Sequence, residues 1–441
     1  MEIGPKKELS LFDSTCIIVG IIIGVGIYET APTVAASMGS WEKTLLVWLA
    51  GGLLALTGAL CYAELATAYP FQGGDYVYLG RAYGSWAGYL FGWSQLVIIR
   101  PADIALMAFI FARYMQTFFP FHEAGGFVYA FLAVGVLTLI NVVGVKQGKW
   151  VQNLLTMAKV FGLSAIIVAG LAAPGPVLLP VQMSSAASPG GLELALILVL
   201  FTYGGWNEMA YVAAEVRRPE RNIMRALVIG TTIVIGLYLL VNGAFLYALG
   251  FGKMSISRAV AVDTVAKVFP HTAAKAMGIF ISISALGAVN GLIFTGARIS
   301  YAMGAEHGSF QLLGRWNRRL GTPVYALLFQ GGLSIAIILL AGSFIDTIIY
   351  TAPAIWLFFL ATGLSVFTLR RKDRRIPRPY KVAGYPFTVI IFCACCSFML
   401  FSSVSYALAQ KPSGLLILLG TFLAGVVCYI IQNRGNKTIN I

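Results

Sequence analysis

Long apolar segments follow one another along almost the whole chain, and they limit the folds open to it. About twelve of them are long enough to cross the ~30 Å hydrocarbon core of a bilayer at 1.5 Å per helical residue. Of the 441 residues, 59% are hydrophobic and 11% are charged, whereas soluble domains carry about 25% charged residues. The chain is therefore predicted to be an all-α integral membrane protein whose main solvent is lipid.

The predicted spans alternate with short polar loops. The first six lie at residues 12–37, 42–69, 86–118, 126–145, 154–173 and 191–215. The last six lie at 225–250, 273–302, 323–341, 344–369, 386–409 and 414–432. Most of the 31 Lys and Arg residues fall in alternate loops, which is the asymmetry that marks the cytoplasmic side. This predicts a cell (inner) membrane protein with both termini in the cytoplasm, and it accounts for the charge of +14 without nucleic acid.

Two spans carry glycines where a helix is expected to break. The first contains the run GIIIGVGIY, with Gly20, Gly24 and Gly26, and the sixth contains FTYGGWNE, with Gly204 and Gly205 adjacent. Each glycine weakens a helix by about 1 kcal/mol relative to alanine. A membrane tolerates a broken helix only where it packs within protein or lines a cavity.

The two breaks lie five spans apart, so they occupy corresponding positions in two halves of inverted topology. The single transmembrane domain, 1–441, would then consist of a first repeat at 12–173, a second repeat at 191–369 and two further helices at 386–432. Paired breaks of this kind indicate the central site of a transporter. For either break alone, close packing of glycines between helices is the alternative interpretation.

Each break offers unpaired backbone groups. The N–H groups at the start of the second half-helix suit a carboxylate, and the carbonyls at the end of the first suit an ammonium. A zwitterionic α-amino acid carries both groups a few ångströms apart, so the breaks predict an amino acid site without charged side chains. The backbone residues expected to form it are Ile23, Gly24, Val25, Gly26, Thr202, Tyr203 and Gly205.

Four charged residues within spans are functional candidates. Lys159 is either a fixed positive charge that makes transport sodium-independent or a side chain that snorkels to the interface. Glu208 is either a proton-titrating group or counter-charge for a cationic substrate, or a carboxylate exposed to water. Arg100 and Asp103 are three residues apart on one helix and are expected to form a neutral structural pair.

Enzyme chemistry finds little support in the sequence. His122, His271 and His307 are far apart and lie in predicted loops, and no metal or nucleotide motif is present. We therefore expect no catalytic residue, no metal and no cofactor. No ring-forming filter motif of a channel is visible either.

Five runs of the sequence resemble a known family in order. They are GIIIGVGIY, YAELATAYPFQGGDYVYL, FTYGGWNEMAYVAAEVRRPERNIMRAL, LGAVNGLIFTGARISYAMG and RRIPRPYKVAGYP. On these runs the chain resembles the amino acid–polyamine–organocation superfamily, close to the L-type amino acid transporters. The resemblance implies the five-plus-five inverted-repeat fold of the leucine-transporter type, with broken first and sixth helices.

The resemblance also implies roles for particular residues. Phe201 would be the aromatic gate that closes over the substrate. Lys159 would replace a sodium site and bridge the first and eighth spans, with Ser284 and Ser282 as its candidate partners. Asn207 and Asn290 fall in the motifs and would line the pocket, and the segment Gln72–Arg81 would help to close the inner side. Independently of the resemblance, Glu64 and Glu215 lie near cytoplasmic span ends and are either gate latches or topological anchors.

Three departures from the family pattern bear on specificity and partners. Val25 stands where many relatives have Ser or Ala, and Glu208 stands where relatives often have an uncharged residue. The loop Phe119–Gly126 has no cysteine, so no disulfide-linked heavy chain is expected.

The sequence thus predicts sodium-independent exchange or facilitated uptake of small neutral L-amino acids by alternating access. A proton-coupled or cationic amino acid/polyamine transporter that uses Glu208 is the nearest alternative. A non-transporting amino acid sensor is the third, although only residues 433–441 follow the last predicted span.

Overall fold

The computed structural model is all-helical over the residues it describes, which are 5–120, 125–175, 191–340, 344–410 and 412–437. Its helices are α1 Leu11–Ile22, α2 Gly26–Met38, α3 Trp41–Ala68, α4 Asp75–Tyr83, α5 Ser85–Ser94, α6 Arg100–Phe118, α7 Gly125–Val143, α8 Val145–Ala172, α9 Gly191–Thr202, α10 Glu208–Tyr211, α11 Pro219–Leu249, α12 Phe251–Ile256, α13 Val260–Ala266, α14 Ala273–Glu306, α15 Val324–Leu340, α16 Phe344–Lys372, α17 Phe387–Gln410 and α18 Pro412–Lys437. The predictions on the loop before α7 and on the tail after α18 fall partly on residues 121–124 and 438–441, which lie outside the described residues.

Most predicted spans appear as long apolar helices. Among the described residues, nine helices are long and apolar enough to cross a membrane. The pair α1 and α2 passes the same test as one bent span, and α9 and α15 are apolar but shorter. The prediction of a multi-pass, all-α membrane protein is confirmed. The count of twelve spans stays a prediction, because it requires α9 with α10, and α15, to cross the membrane.

The first predicted span is broken as its glycines indicated. The Oγ of Ser10 accepts a hydrogen bond from the backbone N–H of Asp13, and the Asp13 carboxylate accepts one from the N–H of Ser10, so a capping box starts α1. The helix ends at Ile22, and α2 begins at Gly26 with its axis turned by 50°.

The sixth predicted span is broken as well. Helix α9 ends at Thr202, and the chain makes a turn over residues 203–207 before the single helical turn of α10. Gly205 has φ +109° within this turn, in the region that favours glycine. A 3₁₀ turn, Ala213–Glu215, follows α10, so the second half of this span is shorter and less regular than the first.

The two halves of the first broken span pack against different neighbours. Helix α1 packs against α8, α11 and α14, while α2 packs against α9 and α12. Helix α6 packs mainly against α7, α14 and α15. A π-helical turn, Gln95–Ile99, joins α5 to α6 and shifts the helix register just before Arg100. The division into inverted repeats stays a prediction.

Candidate functional site

The two breaks are neighbours in space. A Cβ placed on Gly26 would lie 3.1 Å from Thr202 Oγ1, and one on Gly205 would lie 2.7 Å from Ile21 Cγ2. The hydroxyls of Thr202 and Thr30 are 3.1 Å apart, which joins α2 to α9 directly. The two broken segments therefore approach each other closely: a side chain at Gly205 would be too close to Ile21, and one at Gly26 would be tight against Thr202.

Open space adjoins these contacts. A Cβ on Gly24 would meet only the carbonyl oxygen of Ile22, at 3.9 Å, and one on Gly204 would meet only that of Phe201, at 3.1 Å. The Phe201 side chain is 41% exposed although it lies within a predicted span. Protein atoms therefore leave the space next to Gly24 unfilled, whereas Gly204 lies in tight contact with the Phe201 carbonyl.

Backbone groups of both signs are available at the breaks. The N–H groups of Val25 and Gly26 lie at the start of α2, where a helix leaves its N–H groups unpaired. The N–H of Gly24, also expected to be free, donates to the Ile22 carbonyl at 2.7 Å. The carbonyl of Tyr203 accepts no backbone hydrogen bond from the described residues. An anionic group and a cationic group could each find a partner here.

Lys159 is fixed at the carbonyl end of α1. Its Nζ donates to the carbonyls of Gly20 at 2.5 Å and Ile23 at 2.8 Å, and its side chain is fully buried. The snorkelling interpretation is therefore wrong, since carbonyls and the helix dipole hold the ammonium inside the protein. Ser284 Oγ donates to the same Ile23 carbonyl at 3.3 Å, whereas Ser282 donates to Gly278 within its own helix.

Glu208 forms a buried ion pair with Arg100. Arg100 Nη1 lies 3.0 Å from Glu208 Oε1, and both side chains are less than a tenth exposed. Thr295 Oγ1 donates to the other carboxylate oxygen at 2.5 Å. The predictions of an Arg100–Asp103 pair and of a water-exposed Glu208 are therefore wrong. The partner across helices is the one that packing brings within 3.0 Å of the guanidinium, and it is a buried carboxylate that would otherwise be uncompensated.

One end of the bundle, where α1 begins and α16 ends, is closed by further buried charges; we call it the basic end. Glu215 accepts hydrogen bonds from Arg298 Nε at 2.8 Å and Gln72 Nε2 at 2.9 Å. Its backbone carbonyl accepts from the N–H of Leu9, just before α1. Glu215 thus ties α14, the segment before α4 and the segment before α1 together.

Two other carboxylates complete this closed layer. Glu64 accepts from Arg370 at 2.7 Å and also lies 3.2 Å from Arg378. Asp75, in the predicted closing segment, accepts from the hydroxyls of Tyr62, Tyr211 and Thr362. Since these groups are buried within protein, Glu64 and Glu215 are not solvent-exposed topological anchors.

The side chains of other predicted residues are engaged in contacts of their own. Tyr203 turns its ring towards Tyr238 and Trp48. Asn207 donates to the hydroxyl of Tyr211 at 2.8 Å. The amide of Asn290 bonds to those of Asn141 and Gln152 between α7, α8 and α14.

Sequence reasoning missed Arg298 and Thr295 as partners of the buried acids. A charged residue inside the apolar run LIFTGARIS was the available signal for Arg298. Thr295 gave no signal, since threonine is common in spans.

These features are those of a membrane transporter with a central site. The bundle crosses the membrane several times, two adjacent helices are broken, and free backbone groups lie at the breaks. The chain belongs to the amino acid permease family, whose model matches residues 9–428. It is therefore an amino acid transporter and not an enzyme.

Named relatives agree with this assignment. The chain is 35% identical to b(0,+)-type amino acid transporter 1 of Mus musculus over 88% of its length and 81% of the relative's. It is 32% identical to the serine/threonine exchanger SteT of Bacillus subtilis (strain 168), over 97% of both chains. It is 34% identical to large neutral amino acids transporter small subunit 2 of Mus musculus, over 97% of this chain and 81% of the relative.

Proposed function

We propose that the chain carries small neutral L-amino acids across the cell membrane by alternating access, as an exchanger or facilitator. The observation that carries this proposal is the contact between the two breaks. The N–H groups of Val25 and Gly26 would bind the α-carboxylate, and the Tyr203 carbonyl would bind the α-ammonium. The exchange mechanism draws on SteT, which is named a serine/threonine exchanger.

Sodium independence is part of the proposal. Lys159 already donates to two carbonyls at the end of α1, which are the oxygen ligands that a monovalent cation would need there. A fixed ammonium at this place supports transport that requires no sodium, because a second cation would meet direct repulsion.

Alternating access is supported by the unequal ends of the bundle. The basic end is closed by the buried pairs of Glu64 and Glu215. At the other end, Arg113 and Glu29 form a pair whose side chains are 63% and 45% exposed. We propose that the basic end faces the cytoplasm and that this conformation is closed on that side.

Glu208 is not proposed as a proton or substrate site, because Arg100 and Thr295 already occupy its two oxygens. We also propose that no disulfide-linked partner is needed. All six cysteines lie in the described helices and are unpaired.

Uptake of radiolabelled amino acids into proteoliposomes tests the proposal. We expect uptake that internal amino acid stimulates and that is the same in sodium and in choline buffer. Uptake that requires sodium would contradict the role of Lys159, and uptake that requires a proton gradient would favour the proton-coupled alternative. Binding without transport would favour a sensor.

A further inference from the structure

The chain from the end of α16 to the start of α17, residues 370–387, carries seven basic residues and one acidic residue; we call it the α16–α17 connection. Both helices are long and apolar enough to cross a membrane. The connection therefore lies at the basic end, where the chain leaves the bilayer and enters it again. Its charged side chains fall on two faces with different surroundings.

The inner face of the connection binds the end of α3. Arg370 Nε donates to the Glu64 carboxylate at 2.7 Å, and Arg378 Nε lies 3.2 Å from it. The backbone N–H of Val382 donates to the same carboxylate at 2.7 Å. Because the Glu64 side chain is 2% exposed, the connection provides the partners that this buried charge needs.

The outer face of the connection carries four cations without a protein partner. They form no ion pair and no side-chain hydrogen bond in the described part of the chain, and all four are exposed. These residues, which we call the outer cations, are Arg371, Arg374, Arg375 and Lys381. Since they lie within one short segment, their mutual repulsion acts against the conformation that holds Glu64.

The carboxylates near the connection already have partners. Asp373 accepts a hydrogen bond from the Tyr69 hydroxyl at 2.8 Å and lies 3.7 Å from Arg81. The remaining basic residue, Lys372, donates to the Arg81 carbonyl at 2.7 Å. Asp75 of α4 is bound by three hydroxyls, and α17 and α18 contain no acidic residue. An anion that neutralises the outer cations would therefore come from outside the protein.

Aromatic side chains place the connection at the depth of lipid headgroups. Phe387, the first residue of α17, is 72% exposed, and Tyr385 is 40% exposed. The Arg370 guanidinium lies 3.7 Å from the centre of the Tyr385 ring. Exposed aromatic rings at the ends of spans are typical of the interface between lipid and water. Cations beside such rings match an amphiphile with an anionic head better than they match a soluble anion.

We propose that the outer cations bind the phosphate groups of anionic phospholipids in the leaflet at the basic end. Arginine binds phosphate through paired N–H groups, and clusters of basic residues next to a span recognise anionic lipids. Bound phosphate removes the repulsion among the outer cations, so the inner face stays on Glu64 and the basic end stays closed. This inference depends neither on the proposed substrate nor on the transport mechanism.

Thermal unfolding in a neutral detergent tests the binding. The protein is heated with dioleoylphosphatidylglycerol or with dioleoylphosphatidylcholine, which has the same acyl chains and no net charge. The wild type is compared with two triple variants that each remove three exposed arginines at the basic end. The outer variant is Arg371→Gln/Arg374→Gln/Arg375→Gln, and the control variant, in the chain after α14, is Arg315→Gln/Arg318→Gln/Arg319→Gln.

We expect phosphatidylglycerol to raise Tm by at least about 2 °C more than phosphatidylcholine does in the wild type and in the control variant. The outer variant should lose this difference while it keeps its Tm in phosphatidylcholine. No difference in the wild type, or the same difference in all three proteins, would overturn the inference. So would an equal rise with sn-glycerol 3-phosphate alone, since the ligand would then be a soluble anion.

Thiol labelling tests the effect on Glu64. Cys61 is fully buried one helical turn before Glu64 on α3, and a variant that keeps it as the only cysteine is reconstituted in liposomes of either lipid. Labelling by the uncharged reagent N-ethylmaleimide should be at least threefold slower in phosphatidylglycerol, and the outer triple substitution should abolish this difference. Equal rates in the two lipids without that substitution would contradict the link between bound lipid and closure.

Discussion

Buried charges define the site at the scale of single residues. Lys159 lies on carbonyl groups, and Arg100 lies against Glu208. A charged side chain that is buried away from water needs such a partner, because the free energy lost with its hydration is larger than most single contacts provide. The sequence flagged each of these residues through its place in an apolar run. The link from Lys159 to the first span was expected from the family resemblance, but the partner of Arg100 depends on how helices pack and was not predicted.

Replacing Lys159 by alanine should reduce uptake by more than tenfold, because the carbonyls of Gly20 and Ile23 would lose their shared donor and α1 its link to α8. The matched pair Ser284→Ala and Ser282→Ala refines the test. Ser284 reaches the same carbonyl and should reduce uptake, whereas Ser282 bonds only within α14 and should not. A normal rate for Lys159→Ala would contradict the account.

Breaking the buried pair should destabilise the protein. Either Arg100→Gln or Glu208→Gln leaves one charge buried and uncompensated, which costs about 3–5 kcal/mol. The double variant should recover part of this loss because no bare charge remains. Thermal unfolding in detergent measures all three. Equal Tm values for Glu208→Gln and wild type would show that the pair does not stabilise the fold.

The decisive elements are the four half-helices around the breaks. The glycine spacing predicted both breaks. A helix in lipid gives up backbone hydrogen bonds only where the freed groups are packed within protein or line a cavity. The single turn of α10 and the π-helical turn before α6 could not be predicted, because both depend on tertiary contacts that overrule local propensity.

Two glycine substitutions should have different effects. A Cβ at position 26 would lie 3.1 Å from Thr202 Oγ1, and Gly26→Val adds two methyl groups to that Cβ. The substitution should therefore push α2 away from α9 and abolish uptake. Gly24→Ala adds a methyl group to open space, so it should leave Tm within about 2 °C of the wild type and weaken substrate binding. Uptake and thermal unfolding of both variants check this. Unchanged binding in Gly24→Ala would place the substrate elsewhere.

At the scale of the whole molecule, a layer of buried ion pairs lies across the basic end. The layer built by Glu64, Asp75 and Glu215 joins α3, α4, α14 and α16 with the segment before α1. Transport by alternating access requires this layer to separate, so its ion pairs should set the balance between conformations.

Glu215→Gln should therefore favour opening at the basic end. Cys16 on α1 is buried, and in a variant that keeps it as the only cysteine its labelling by a thiol reagent should rise at least tenfold. Glu220→Gln, an exposed neighbour, is the control. Lower thermal stability without faster labelling would mean that Glu215 only anchors the fold.

Sequence reasoning predicted the membrane class, the breaks at Gly24 and Gly205 and a Lys159 that is held within the protein; its role in transport stays a prediction. These features follow from hydropathy, backbone chemistry and the cost of burying charge, which are all local. The pairing of Arg100 with Glu208 rather than with Asp103 could not be predicted, because i, i+3 spacing favours a contact that helix packing then replaces.

The most direct test of the central claim is competition at the binding site. The amino acid with the highest uptake, its decarboxylated amine and its deaminated acid would compete with the labelled amino acid for purified protein. We predict that only the intact zwitterion competes, at least 100-fold better than either analogue, because each break binds one of its two groups. An amine or acid that competes within tenfold would show that the two breaks do not jointly form the site.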